Sequence, residues 1–363
     1  MAPRDLLTPL LSQASGPWPR SGAEWELLLR QARRTRLQAS LALEQARQHV
    51  AAPAPVLGHF EDANLVAQAQ GRAVRWELIE ISRALRGLQA PVVVLKGAAY
   101  LLLDLPFARG RLFSDIDLLV HRDNLPLAEA MLSVAGWQTG NPDEYDQRYY
   151  RQWMHEIPPL VHGARKTVVD LHHNILPLTS RVPVDAELLL ADIVPLEGWP
   201  GLYRLADVDL VLHMAVHLFM DGEFDKGLRD LCDLHGLLTH FGADARFWER
   251  LQARAERLGM GRTLYYALRY AKRLLGTEVP SSALTATEPF GPAWPGLMDA
   301  LFQRALRPDD PSCEDGLTGL ARWLLYWRGH WLRMPLHLLV LHLTRKTWRR
   351  IWTDDDKAKA ETA

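Results

Sequence analysis

Residues 114–120 constrain this chain most strongly, because they set two acidic residues inside an apolar, strand-forming run. On a β-strand, residues i and i+2 point to the same face, so we expect Asp115 and Asp117 to lie side by side. Two carboxylates held that close repel each other unless a cation lies between them. A hard, oxygen-binding ion such as Mg2+ suits this arrangement. Taken alone, the common Asp-x-Asp pattern favours two solvated aspartates at a strand edge.

The flanking segments favour a functional interpretation. Upstream, a β-branched run ends in Lys96 and Gly97 and leads into a helix-compatible segment, where backbone N–H groups and a lysine charge could cradle phosphate. Arg111 adds a cation before the acidic strand, and a solvated loop arginine is an equal alternative. Downstream, residues 166–173 form another β-prone segment. If it pairs beside the first acidic strand, Asp170 becomes a third carboxylate.

With these motifs, the sequence resembles the bacterial nucleotidyltransferases of the polymerase-β-like superfamily, and more narrowly a branch with Leu-Lys-Gly in place of the usual Gly-Ser. The matching motifs cover roughly residues 75–175. The resemblance implies an α+β fold, in which a polymerase-β-like core (a mixed β-sheet with flanking helices) is joined to N-terminal helices and an all-α C-terminal domain. The predicted boundaries are 1–88 for the N-terminal helical segment, 89–200 for the catalytic core, 201–353 for the helical C-terminal domain and 354–363 for a polar tail.

The resemblance also implies which residues carry the chemistry. Asp115 and Asp117 match the family's metal-binding pair, and Asp170 matches the third carboxylate, which helps bind the metal of the attacking hydroxyl and can act as a base. Nucleotidyl transfer is an in-line displacement at the α-phosphorus, in which two metal ions about 4 Å apart can activate the hydroxyl and stabilise the leaving oxygen. The predicted cofactor is therefore Mg2+ or Mn2+.

The predicted nucleotide-binding residues are Lys96, Gly97, Arg111 and Ser114. Gly97 matches the turn that lets the backbone approach the triphosphate, while Ala98 stands where the superfamily's common form has serine. Lys96 and Arg111 would offset charge on the triphosphate oxygens. Ser114 is expected mainly to cap or hydrogen-bond locally, with a phosphate or metal role as the alternative.

Composition narrows the class of protein further. The net charge of −1 gives no electrostatic case for nucleic acid. The two cysteines, Cys232 and Cys313, lie far apart in the sequence and form no metal-binding motif, which fits a reducing compartment. The first residues lack an apolar run of signal-peptide length, so we expect a cytoplasmic protein.

Helical patterns dominate outside the acidic strands. Residues 21–50 read as one amphipathic helix with Ser21 as N-cap, and residues 280–296 read as a Pro/Gly-rich linker. His213 and His217 share a helical face, but the glutamate of a zinc-protease motif is missing, so packing or hydrogen bonding is the better interpretation.

Residues 317–352 contain seven Lys or Arg, five Trp and no acidic residue. Trp323, Trp327 and Trp331 recur every four residues and so lie on one face of a helix. One interpretation is an amphipathic helix that contacts an anionic membrane peripherally. The favoured alternative is a helix whose Trp face packs on the helical domain while its arginines face solvent.

The sequence therefore predicts a metal-dependent enzyme that moves a nucleoside monophosphate from an NTP to an unidentified hydroxyl or phosphate acceptor. The acceptor could be a small molecule, a glycan intermediate, a protein or RNA. A toxin-like transferase acting on tRNA is a variant that the overall charge does not favour. The alternatives from other classes are a catalytically inactive nucleotide-binding protein and a membrane-peripheral scaffold.

Overall fold

A computed structural model of the chain describes residues 3–13, 16–140 and 144–335. Four helices precede the first strand: α1 (Leu7–Leu11), α2 (Gly22–Arg34), α3 (Gln38–Arg47) and α4 (Ala54–Ala84). The mixed region that follows contains β1 (Val92–Val94), α5 (Lys96–Leu102), β2 (Ile116–Leu119), α6 (Leu125–Val134), β3 (Trp137–Thr139), α7 (Glu144–Trp153), β4 (Leu160–His162), β5 (Val168–His172), α8 (Ala186–Leu190), β6 (Val194–Pro195) and β7 (Leu202–Arg204). The remaining helices are α9 (Asp207–Met220), α10 (Gly227–Phe241), α11 (Ala245–Arg257), α12 (Gly261–Leu275), α13 (Ser281–Thr287), α14 (Pro295–Ala305) and α15 (Thr318–Arg333).

The strands in the described part of the chain form one seven-stranded mixed sheet in the order β3-β4-β5-β2-β1-β7-β6. Strand β2 pairs antiparallel with β1 and parallel with β5, so it lies at the centre of the sheet. All four β2 residues are buried, as are the three of β1, because helices cover these strands. The sheet and its helices confirm the predicted α+β class.

The hydrophobic core is continuous between the sheet and the C-terminal helices. One cluster of buried residues runs from Val74 in α4, through the central strands, to Leu325 in α15. A second, smaller cluster holds α1, α2, α3 and the start of α4 together, and Leu228 of α10 joins it. The N-terminal helices therefore pack on α10, while the predicted domain boundaries stay predictions.

Two helix predictions are wrong in detail. Residues 21–50 form two helices, because the chain turns between α2 and α3 at Arg36, whose φ of 59° is left-handed. Ser21 does cap α2, since its side chain accepts a hydrogen bond from the Glu24 backbone N–H. Residues 280–296 are not a linker, because they contain α13 and the start of α14. Prolines mark helix starts there, since Pro280 is the N-cap of α13 and Pro295 is the first residue of α14.

The C-terminal helix α15 does not have the favoured orientation, in which the Trp face packs on the protein and the arginines face solvent. Trp323, Trp327 and Trp331 are 56%, 39% and 43% exposed, so the Trp face does not pack on the helical domain. The arginines instead bind protein groups: Arg328 donates to the Phe219 carbonyl oxygen. Residues 336–352 lie outside the described chain. None of the helices within the described ranges combines the length and apolar character needed to cross a membrane.

Candidate functional site

The three predicted carboxylates converge at one end of the central strands. Asp117 in β2 lies directly opposite Asp170 in the parallel strand β5, so both side chains point to the same face. Asp115 comes two residues before Asp117, just ahead of β2. It is half-buried, whereas Asp117 is only 5% exposed. The register of the sheet therefore brings Asp117 and Asp170 to one face, and Asp115 lies outside the paired strands.

Lys96 supplies positive charge to this cluster. It follows β1, which is antiparallel to β2, and its Nζ donates a hydrogen bond to Asp117 Oδ1 at 2.7 Å. Burial favours the neutral form of both groups, but the attraction between the ammonium group and the carboxylate is stronger than this effect. The pKa of Asp117 therefore falls well below its usual range, and that of Lys96 rises. The left-handed residue of the strand-to-helix turn is Lys96 itself, with φ of 46°, and not Gly97.

Asp170 is the acidic group whose charge is least compensated. Burial raises its pKa, and the carboxylates of Asp117 and Glu156 raise it further, to about 7. Its Oδ1 is buried and has no hydrogen-bond partner. A carboxylate with an unpartnered buried oxygen beside other carboxylates fits the requirements of a divalent cation, which would offset the repulsion.

Arg111 is a buried member of the site and not a solvated loop cation. Its Nε donates to Asp233 Oδ2 of α10 at 2.8 Å, and its guanidinium lies against the backbone of Gly97. A Cβ atom at Gly97 would lie 1.9 Å from Arg111 Nη1, so a larger residue fits there only if the guanidinium moves. Gly97 therefore admits the arginine side chain beside the Lys96 turn.

Replacing Gly97 with alanine should displace Arg111 and weaken its hydrogen bond to Asp233. We expect G97A to lower the free energy of unfolding by about 1–3 kcal/mol, since the added methyl group overlaps the guanidinium. The measurement is chemical denaturation followed by circular dichroism. G58A is the matched control, because a Cβ at that α4 glycine meets nothing within 4 Å. Equal stability of the two variants would contradict the packing role of Gly97.

Ser114 makes the local contact that was expected of it. Its Oγ donates to Asp115 Oδ2 at 3.0 Å, and the residue is exposed. The hydroxyl thereby orients one carboxylate of the acidic cluster.

Three further residues lie beside the carboxylates and had no assigned role in the sequence. His172 Nε2 lies 3.1 Å from Asp117 Oδ1, and His172 Nδ1 lies 3.4 Å from Glu156 Oε2. Among the described residues, His155, Glu156 and His172 form the group of three potential metal ligands whose donor atoms all lie within 4.8 Å of one another. The aspartates do not reach that spacing in this arrangement.

The sequence held a signal for only one of these residues. His172 is two residues after Asp170 in the same strand, so it shares a face with that carboxylate, as Asp117 does with Asp115. His155 and Glu156 come from the segment between α7 and β4, where no periodic pattern marks them.

The helices behind the sheet carry a buried ionic network. Arg229 donates to Asp230 Oδ1 at 2.6 Å, and His217 Nε2 lies 3.5 Å from Asp230 Oδ2. Burial alone would raise the pKa of Asp230, but His217 and Arg229 outweigh it and lower that pKa. This agrees with the predicted hydrogen-bonding role for His217 of α9, whereas His213 Nδ1 is buried without a hydrogen-bond partner among the described residues. His213 is buried, and its pKa is lowered by burial and by nearby Lys96.

A mixed sheet with two carboxylates at one strand and a third on its parallel neighbour, beside a lysine–glycine turn, is the arrangement expected of a nucleotidyltransferase. The comparison with protein families agrees. Residues 21–276 match a family described as "Uncharacterised nucleotidyltransferase". The match covers more than half of the 363-residue chain, and the chain belongs to this family. No curated protein and no solved structure matches it.

Proposed function

We propose that this protein is a metal-dependent nucleotidyltransferase that moves a nucleoside monophosphate from an NTP to an acceptor hydroxyl or phosphate. The observation that carries the proposal is the register that sets Asp117 opposite Asp170, at the end of the sheet where Lys96 follows β1. Family membership supports transfer of a nucleotidyl group in general. The cysteines, both free, are in keeping with a cytoplasmic protein.

The proposed catalytic and metal-binding residues are Asp115, Asp117 and Asp170. They fit Mg2+ or Mn2+ because they offer hard carboxylate oxygens, one of them buried without a partner. When bound, such a cation supplies charge neutralisation at the phosphates and at the attacking oxygen. In the protein alone, Lys96 neutralises Asp117 through Oδ1, and a cation that took over this charge would free the ammonium group.

Lys96, Gly97, Arg111 and Ser114 form the proposed nucleotide side of the site. On leaving Asp117, Lys96 would have its charge available for a phosphate oxygen. Arg111 is held by Asp233, which orients the guanidinium against Gly97. Asp170 is the proposed acceptor of the proton of the incoming hydroxyl, the role that the resemblance gives to the third carboxylate.

The test is incubation of the purified protein with each α-labelled NTP, Mg2+ or Mn2+, and a cell extract. Label that enters one small-molecule, glycan, protein or RNA fraction would identify donor and acceptor together. We expect the label to disappear with D115N, because this variant lacks one of the proposed metal-binding carboxylates. D115N keeps the Lys96–Asp117 pair, so the fold should be retained. Transfer that persists in a folded D115N protein would overturn the assignment, and NTP binding without any transfer would favour the catalytically inactive alternative.

We also propose that α15 contacts an anionic membrane surface. Its exposed apolar face, here called the Trp stripe, consists of Leu317, Leu320, Trp323, Leu324, Trp327 and Trp331. Tryptophan favours the membrane–water boundary because its ring is apolar and its N–H is polar. The sequence from 336 to 352 adds Arg345, Lys346, Arg349 and Arg350 without an acidic residue, so the charge complements anionic lipid.

Loss of two indoles from the Trp stripe should weaken membrane binding strongly. We expect W323A/W327A to reduce co-sedimentation with phosphatidylcholine–phosphatidylglycerol vesicles by about 10-fold, since the two rings supply much of the apolar area. L65A, at an exposed leucine of α4, is the control and should bind as the unmodified protein does. Unchanged binding of the double variant, or no binding by the unmodified protein, would contradict the proposal.

A further inference from the structure

A cluster of two imidazoles and one carboxylate lies next to the aspartates and is held by backbone pairing. Glu156 forms an antiparallel bridge with His172. On either side of it, Ile157 N–H donates to the Leu171 oxygen and His173 N–H donates to the His155 oxygen. These bonds pair residues 155–157 with the end of β5, on the side where β4 pairs with it. His155 and Glu156 are therefore fixed relative to His172.

The hydrogen bond to Asp117 determines which nitrogen of His172 is protonated. The Asp117 carboxylate is ionised and can only accept, so His172 Nε2 carries the proton and lies 3.1 Å from it. The other ring nitrogen, Nδ1, lies 3.4 Å from Glu156 Oε2 and makes no hydrogen bond. A carboxylate that holds one imidazole nitrogen while the other is free is the usual arrangement behind a metal-ligating histidine.

Two ring nitrogens of this cluster lack a hydrogen-bond partner within the described part of the chain. Nδ1 of His172 and Nδ1 of His155 are both buried without a hydrogen-bond partner. The two rings lie 5.3 Å apart between centroids, and His172 is only 1% exposed. Buried polar atoms without partners are unfavourable, and one cation would satisfy both nitrogens and the neighbouring carboxylate oxygen together.

We propose that His155, Glu156 and His172 form a second metal site that binds a d-block divalent ion such as Zn2+, Co2+ or Mn2+ in preference to Mg2+. Imidazole nitrogen favours these ions, whereas Mg2+ favours an all-oxygen set such as the three aspartates. The 3.4 Å spacing between Nδ1 of His172 and Oε2 of Glu156 is close to the separation of two ligands on one ion with bonds of about 2.1 Å. Three protein ligands leave a coordination position for water or substrate. This inference goes beyond the proposed function and does not depend on transfer activity.

The site is tested by metal binding to the whole chain after chelator treatment. Co2+ is titrated with Mg2+ in large excess, and the visible absorption of the bound ion gives affinity and stoichiometry. We expect one Co2+ to bind in this way, Zn2+ to displace it, and H155Q or E156Q to weaken binding by about 100-fold or more. H240Q, at an exposed histidine of α10, is the matched control and should leave the titration unchanged.

Long-range 1H–15N spectra of the histidine side chains provide a readout that is independent of activity. We expect the Nδ1 resonance of His172 to shift when Zn2+ is added, while Nε2, which faces Asp117, keeps its proton. The competing arrangement is a doubly protonated His172 that bridges Asp117 and Glu156 without metal. A doubly protonated ring unaffected by Zn2+, equal Co2+ binding by H155Q, or full competition by Mg2+ would overturn the proposal.

The D115N variant separates this inference from the proposed function. Asp115 is outside the cluster, so D115N should abolish transfer yet retain Co2+ binding. Intact Co2+ binding without transfer by the unmodified protein would remove the proposed function and keep the second site. Mg2+-dependent transfer without Co2+ binding would keep the proposed function and remove the second metal site.

Discussion

The D170N variant should lose nucleotidyl transfer by about 10³-fold or more while the metal-free protein becomes more stable. Burial and neighbouring carboxylates raise the pKa of Asp170 to about 7. An amide of the same shape removes the repulsion from Asp117 but can neither bind a cation as an anion nor accept a proton. We expect unfolding to require about 1–3 kcal/mol more, a part of what the pKa shift implies.

The stability gain in D170N should depend on pH in a defined direction. Below pH 4, Asp170 is protonated in both the folded and the unfolded protein, so the variant and the unmodified protein should be alike. Between about pH 4 and 7 the unfolded chain releases the proton before the folded protein does, and the gain should grow before levelling off above pH 7. Chemical denaturation at several pH values in the presence of a chelator measures this.

D62N is the control for D170N, since Asp62 is an exposed residue of α4. It should change neither transfer nor the pH profile. Nucleotide binding by D170N, measured by calorimetry, should persist. If binding and transfer fall together, or if D170N is less stable than the unmodified protein at pH 8, the assigned role of Asp170 is wrong.

Replacing Lys96 with methionine should destabilise the metal-free protein by about 3 kcal/mol, because Asp117 would keep a buried charge without its main partner. The Lys96 Nζ and Asp117 Oδ1 are only 2.7 Å apart, and both side chains are largely buried. A divalent cation can take the place of the ammonium group in offsetting that charge. We therefore expect Mg2+ or Mn2+ to raise the melting temperature of K96M much more than that of the unmodified protein.

Thermal melts with and without Mg2+ distinguish this from a simple packing loss. K272M is the control, since Lys272 is exposed on α12 and should show no metal-dependent difference. We also expect K96M to transfer poorly, through weaker binding of the triphosphate. If the melting temperature of K96M is the same with and without Mg2+, the cation does not bind at Asp117.

The acidic strand and its neighbour could be predicted from local pattern because alternation alone determines which face a strand residue takes. Asp115 and Asp117 share a face in any strand, and the family resemblance brought Asp170 beside them. The resemblance also implied the α+β class, with which the sheet and its helices agree. The turn between α2 and α3 was missed because Arg36 adopts a left-handed backbone without glycine.

The partners of the predicted cations could not be inferred from sequence. Lys96 and Asp117 are 21 positions apart, and Arg111 and Asp233 are 122 apart, so only the packing of strands and helices brings them together. The orientation of α15 was missed for a related reason. A helix with apolar and basic residues on different faces can turn either face inward, and the core beneath Leu325 decides which.

The small N-terminal core determines which truncated forms of this protein would keep the site intact. Ser40 of α3 donates to the Gly110 carbonyl next to Arg111, and Leu228 of α10 is shared with the same helices. α10 also presents Asp233 to Arg111. The N-terminal helices thus contact both the backbone beside Arg111 and the helix that carries its partner Asp233. The family match begins at residue 21 and includes these helices from α2 onward. A truncated protein that starts at residue 89 would retain every proposed catalytic aspartate yet lack the scaffold that aligns the guanidinium, so fragment-based expression or domain grafting should carry the leading helices along.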